Sequence, residues 1–132
     1  MNKSILSDKT AIITGANQGL GREISKSFVH NGANVMLCAR NFDLLKKTKN
    51  EISPFLRENQ KICIKKCDVT DKNDINSLLS ETFSKLGGCH ILVNNAGIYG
   101  PKGPIENTSW KDWKNAFEIN FFGSVLMCRA LI

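Results

Sequence analysis

Tyrosine occurs once in the 132 residues, at Tyr99, and proline three times. No apolar run approaches the ~18 residues that a membrane-spanning helix requires. Residues 1–8 hold one lysine and a single apolar pair, Ile5 and Leu6. A secretory signal needs an apolar core of roughly 7–15 residues, so the expectation is a cytoplasmic protein. The five cysteines (Cys38, Cys63, Cys67, Cys89 and Cys128) are odd in number and include no Cys-x-x-Cys pair. His30 and His90 lack metal-ligand spacing, which argues against both a disulfide framework and a metal site. Cys38 and Cys63 sit in apolar runs, where a reduced cysteine behaves as a small hydrophobe. Acidic residues are the minority charge, 12 against 18 basic, for a net +6. The lysines are scattered, without a block of five like charges and without a zinc-finger or RNA-binding signature. A solvated basic surface with some affinity for phosphate follows, and a nucleic-acid or membrane partner does not.

An apolar fraction of 42% is too high for a disordered chain, and the length suits one domain or part of one. Short apolar runs alternate with helix-period segments. Thr10 to Thr14 reads as a buried strand. Leu20, Ile24 and Phe28 follow at four-residue spacing, and Asn31-Gly32 supplies a left-handed stop. Val35 to Ala39 is a second strand, and Phe42, Leu45, Ile52, Phe55 and Leu56 mark a helix that Pro54 kinks or shortens. A third strand begins at Ile62 and ends near Asp68. Asp71 and Asp74 cap a helix with Ile75, Leu78, Leu79, Phe83 and Leu86 on its face, stopped by Gly87-Gly88. Ile91 to Val93 is the fourth strand, and a Gly/Pro loop follows it to Gly103-Pro104. Ser109 and Asp112 open a last helix that carries Trp110, Trp113, Phe117, Phe121, Ser124, Val125 and Cys128 on one side. Continuous apolar strands alternating with helices predict an α/β fold, a Rossmann-type doubly wound parallel sheet. Four strands are fewer than that fold needs. Residues 1–132 are therefore expected to form an incomplete domain, truncated after the fourth strand and the following helix.

Chemistry concentrates at the strand ends. The first strand runs into Thr14-Gly15-Ala16-Asn17-Gln18-Gly19-Leu20-Gly21, where glycines permit a tight turn and close approach of a ligand. The helix opening near Gly19 would aim its free N–H groups and positive dipole end at the same spot, as a pyrophosphate site requires. The plain alternative is a tight turn without a ligand. Asn94 and Asn95 leave the fourth strand together, and their amides need partners, either as turn caps or in a site. Asn120 interrupts the apolar last helix, where a helix–helix hydrogen bond would also account for it.

Thr14-Gly15-x-x-x-Gly19-x-Gly21, Asp68-Val69, Asn94-Asn95-Ala96-Gly97 and Asn120, in this order on these elements, resemble the short-chain dehydrogenase/reductase family over essentially the whole chain. The resemblance implies an NAD(P)-dependent oxidoreductase that moves hydride between nicotinamide and a small-molecule carbonyl or alcohol. It places Gly15, Asn17, Gln18, Gly19, Leu20 and Gly21 at the pyrophosphate turn, and Asp68 with Val69 at the adenine. Asn95, Ala96 and Gly97 would lie under the cofactor ribose. Asn120 would be catalytic, holding a water in a proton relay. His90 stands where the family usually has an acidic residue before the fourth strand. Members commonly pair through the helix containing Asn120 and the next one, so the full-length form is expected to be a homo-oligomer.

NAD enzymes of this fold end the second strand with an acidic residue that accepts from the ribose 2′-hydroxyl. Here that end reads Cys38-Ala39-Arg40-Asn41. The carboxylate is missing and Arg40 offers a guanidinium to a 2′-phosphate, so NADP(H) is expected in preference to NAD(H). The family's catalytic serine and its helical Tyr-x-x-x-Lys have no match. Tyr99 lies in a Gly/Pro loop, and position 103 is glycine. The expectation is the cofactor-binding half of such an enzyme, inactive alone, with a strand, a serine and Tyr-x-x-x-Lys encoded beyond Ile132. The alternative is a non-catalytic dinucleotide-binding module.

Overall fold

The computed structural model describes residues 4–132. The expected absence of a secretory core falls partly on residues 1–3, outside that range. Four strands, β1 (Thr10–Thr14), β2 (Asn34–Ala39), β3 (Ile62–Lys66) and β4 (Ile91–Val93), form one parallel sheet in the order β3-β2-β1-β4. Helices α1 (Gly19–His30), α2 (Phe42–Ile52) and α3 (Lys72–Leu86) connect them. The order reverses between β1 and β4, and the crevice of a doubly wound sheet opens at such a point.

Strand alternation divides the core into two layers. Ile13, Val35 and Leu37 are buried on one face with Val29 of α1 and Leu45 and Ile52 of α2. Ile12, Met36 and Cys38 are buried on the other with Ile75 and Leu78 of α3. Each such aliphatic side chain, fully buried, contributes about 1.5–3 kcal/mol. Pro54 shortens α2 as its missing N–H dictates, and a single 3₁₀ turn, Ser53–Phe55, replaces the last helical residues. Gly87, at φ 80°, stops α3 in the left-handed conformation. His90 supports the sheet with both ring and backbone: Nδ1 accepts the Thr10 N–H at 3.1 Å, while the His90 backbone N–H donates to the Thr10 carbonyl at 2.8 Å.

Two expected helix faces are corrected. Ile24 and Phe28 of α1 pack against the core as expected, but Leu20 is 69% exposed, and the fully buried residues of the helix are Gly21, Ser25 and Val29. Small residues let that helix lie against the strand ends, which pushes Leu20 out over the cleft. The single helix expected after Ser109 is broken. α4 (Trp110–Phe117) runs into a π-helical turn, Glu118–Phe122, before α5 (Gly123–Leu131). Its buried residues are Ala116, Ile119, Gly123 and Met127, while Trp110, Phe117 and Phe121 are exposed. Small Gly123 allows the contact, because a Cβ there would lie 2.7 Å from Val69 Cγ2.

Candidate functional site

Two adjoining cavities of about 410 and 420 Å³ open above the C-terminal ends of β1, β2 and β4. The turn from β1 to α1 forms their common wall. Gly15 and Gly19 hold positive φ, 62° and 54°, and a Cβ on Gly21 would lie 2.2 Å from the Gly15 carbonyl oxygen. Asn41, Asp71 and Ser109 cap α2, α3 and α4 with side-chain acceptors, whereas Gln18 gives α1 no side-chain cap. The first turn of α1 also lacks an acidic residue. Its N-terminal N–H groups and positive dipole end thus face the cleft without a side-chain cap. A glycine cradle that a β-carbon would fill, at such a helix start, fits the pyrophosphate of a dinucleotide.

Thr14, fully buried, joins the two strand ends. Its Oγ1 accepts the N–H groups of Asn95 and Ala96, both at 2.9 Å, and donates to the Val93 carbonyl at 3.3 Å. Asn95 Nδ2 returns the contact, donating to the carbonyls of Thr14 at 3.2 Å and Gly15 at 3.1 Å. The Asn95 amide therefore holds the glycine turn in place. Thr48 of α2 braces the same turn by donating to the Asn17 carbonyl at 3.3 Å.

Asn120 is neither buried nor unpartnered. Its Oδ1 accepts the Ile98 N–H and its Nδ2 donates to the Ile98 carbonyl, each at 2.8 Å, which fixes the strand leaving Gly97. Its partner is thus the backbone of the loop after β4 and not a second helix. The π turn places Asn120 outward and gives it the backbone of Ile98 as partner.

At the other end of the cleft, Arg40 follows β2 and Asp68 follows β3, and both line one cavity. Asp68 Oδ1 accepts from the Thr70 N–H at 2.9 Å and from Thr70 Oγ1 at 2.8 Å, while Asp74 Oδ2 accepts the Asp68 N–H at 2.9 Å. Burial raises the Asp68 pKa, but the two Thr70 bonds and the nearby Arg40 charge outweigh it, so the carboxyl sits below its usual value and is ionised. A hydrogen bond with Cys67, then burial, pushes the Cys38 thiol well above its ordinary value. A protonated, buried thiol of this kind is inert lining.

Of the residues singled out in the sequence, Gly15, Asn17, Gln18, Arg40, Asp68, Val69, Ala96 and Gly97 line the first cavity, and Leu20 and Asn95 line the second. Gly21 and Asn120 shape the walls through Gly15 and Ile98, while Gly19 lies exposed at the start of α1 and outside the lining of both cavities. Sequence reasoning missed Leu44, Cys67 and Ile119 as lining. It also missed Thr14, Thr48 and Thr70 as the hydroxyls that hold the site. Thr70, two residues after Asp68, was the one with a readable signal, because a hydroxyl at that spacing can bond back to the carboxylate. Among the described residues no group of three or more His, Cys, Asp or Glu is placed to hold a metal. Among them, too, no helix is long and apolar enough to cross a membrane.

A parallel doubly wound sheet with a glycine-lined helix start at its switch point defines a dinucleotide-binding class of fold. Comparison with known proteins narrows this. The family model described as short chain dehydrogenase matches residues 9–132. L-fucose dehydrogenase of Oryctolagus cuniculus is 32% identical over 123 residues, covering 92% of this chain and 40% of that protein. The 7alpha-hydroxysteroid dehydrogenase of Escherichia coli K12 is 39% identical over 117 residues, covering 89% and 44%. A solved hydroxysteroid dehydrogenase from Escherichia coli superposes with a TM-score of 0.86 at 35% identity, covering 96% of this chain and 52% of that one. The chain belongs to the short-chain dehydrogenase family, and membership implies a nicotinamide cofactor, NAD(P)(H). It spans about half the length of the relatives it matches.

Proposed function

We propose that this chain is the cofactor-binding half of a short-chain dehydrogenase that prefers NADP(H) and acts on a small-molecule carbonyl or alcohol. The observation that carries the cofactor preference is Arg40. It stands where β2 ends, lines the same cavity as Asp68, and is near enough to lower the Asp68 pKa. A guanidinium there supports a 2′-phosphate through charge-assisted bonds, and the strand end itself, Ala39-Arg40-Asn41, has no carboxylate to accept from a free 2′-hydroxyl. Asp68 and Val69 would hold the adenine, the Gly15–Gly21 turn the pyrophosphate, and Asn95, Ala96 and Gly97 would lie under the ribose. When bound, the nicotinamide supplies the hydride donor or acceptor.

Within these 132 residues we assign binding and not turnover. Tyr99 is 94% exposed in its loop, with Lys102 Nζ 5.0 Å from the ring centre and no helix to carry a phenol–lysine pair. Asn120 would steady Ile98 and order the water of a relay that residues outside this chain complete. Relatives named for L-fucose and for a 7alpha-hydroxysteroid support an alcohol or its carbonyl as substrate, without choosing between sugar and steroid.

The test is the dissociation constant for NADPH and NADH in the full-length protein containing this chain, wild type against Arg40→Ala. Loss of one charge-assisted contact should weaken NADPH by about 10- to 100-fold and leave NADH nearly unchanged. Equal weakening of both, or a wild-type preference for NADH, overturns the assignment.

A further inference from the structure

The geometry points to Thr70 as the residue that makes Asp68 selective for the base of the cofactor; the inference rests on the dinucleotide reading above. Thr70 occupies both acceptor directions of one Asp68 oxygen, Oδ1, through its N–H at 2.9 Å and its hydroxyl at 2.8 Å. The backbone beneath is pinned as well, because Asp74 Oδ2 takes the Asp68 N–H at 2.9 Å. Val69, between the two, is seated against Gly123. A carboxylate held at Oδ1 by two bonds keeps a set orientation at the cavity lining, and Oδ2 is its remaining acceptor. Such an acceptor favours a base that offers an amino group and rejects one that offers a carbonyl at the same position. Adenine carries the amino group and hypoxanthine the carbonyl. Thr70 touches neither, so it is a positioning residue.

Binding to the full-length protein should be measured with adenine and hypoxanthine nicotinamide dinucleotides, each with and without the 2′-phosphate. Wild type should favour adenine by about 100-fold. Thr70→Val keeps the shape and the N–H but loses the hydroxyl; the ratio should fall to about tenfold, and Thr70→Ser should restore it. Thr70→Ala serves the same purpose if the valine variant does not fold. Asp68→Asn should abolish the preference. An unchanged ratio in the Thr70 variants, with both bases weakened alike, overturns the inference and leaves Thr70 a structural residue. An unchanged ratio in Asp68→Asn overturns it differently, because the base is then not read by Asp68 at all. Failure of every dinucleotide to bind refutes the cofactor reading itself.

Discussion

A methyl group added at Gly21 would lie 2.2 Å from the Gly15 carbonyl oxygen and 2.5 Å from Asn95 Nδ2. At Gly19 the same methyl would meet nothing within 4 Å, but the backbone there holds φ 54°. The two substitutions should therefore differ in kind. Gly21→Ala forces backbone apart and should cost about 2–3 kcal/mol together with most dinucleotide affinity. Gly19→Ala carries conformational strain alone, about 1 kcal/mol. Thermal unfolding of both variants in the full-length protein checks the order, and a reversed order would contradict the cradle geometry. These glycines were legible in the sequence because turn chemistry admits few other residues. Thr14 was not, because a threonine ending a buried strand looks like any β-branched strand residue until its neighbour strand is known.

Among the elements, α3 is tied to the edge strand β3 by one carboxylate. Glu81 receives Lys65 Nζ at 2.8 Å from the strand and Lys85 Nζ at 2.6 Å from its own helix. Lys65 first, and Lys85 with it, holds the Glu81 pKa below its ordinary value. A depressed carboxylate pKa stabilises the fold fully above the unfolded value, about 4.3, and that stability disappears as pH falls through the folded value. Glu81→Gln should cost roughly 0.5–1 kcal/mol near neutrality after screening, and nearly nothing at about pH 3. Urea unfolding of the full-length protein at the two pH values reads the difference, and a gap that persists in acid contradicts the linkage. The strands and their order of appearance were readable from apolar runs. The faces of α1 and of the last helix were not, because the pattern Leu20, Ile24, Phe28 says which residues are apolar, while Gly21 and Gly123 decide which side can come close.

The whole molecule leaves much apolar surface uncovered. Phe117 is 56% exposed, Phe121 58% and Phe122 47%, all on or beside the π turn. β4 pairs only with β1 among the described residues, so its other edge carries unpaired backbone groups. Leu126 is half-buried against the α3 layer. Expressed as 132 residues alone, the protein should self-associate and show no turnover. Light scattering and a melting curve test this, and a monodisperse monomer that melts cooperatively would favour the independent binding module instead. The fold class was legible at this scale because strand–helix alternation permits few architectures. Nothing in the pattern could foretell that one buried hydroxyl, on Thr14, would clamp two strand ends together.

The π turn at Glu118–Phe122 amounts to one residue more than an unbroken α-helix would spend there. Each α-helical residue advances the helix by about 100° around its axis, so that extra residue acts as a phase shifter. Upstream it leaves Ala116 inward, and downstream it brings Gly123 and Met127 back into step with the core. Removing it would rotate α5 by roughly a quarter turn and swing Gly123 away from Val69, the residue beside Asp68. A single surplus residue in the helix packed against α3 thereby sets the angle at which the Asp68–Val69 loop is supported.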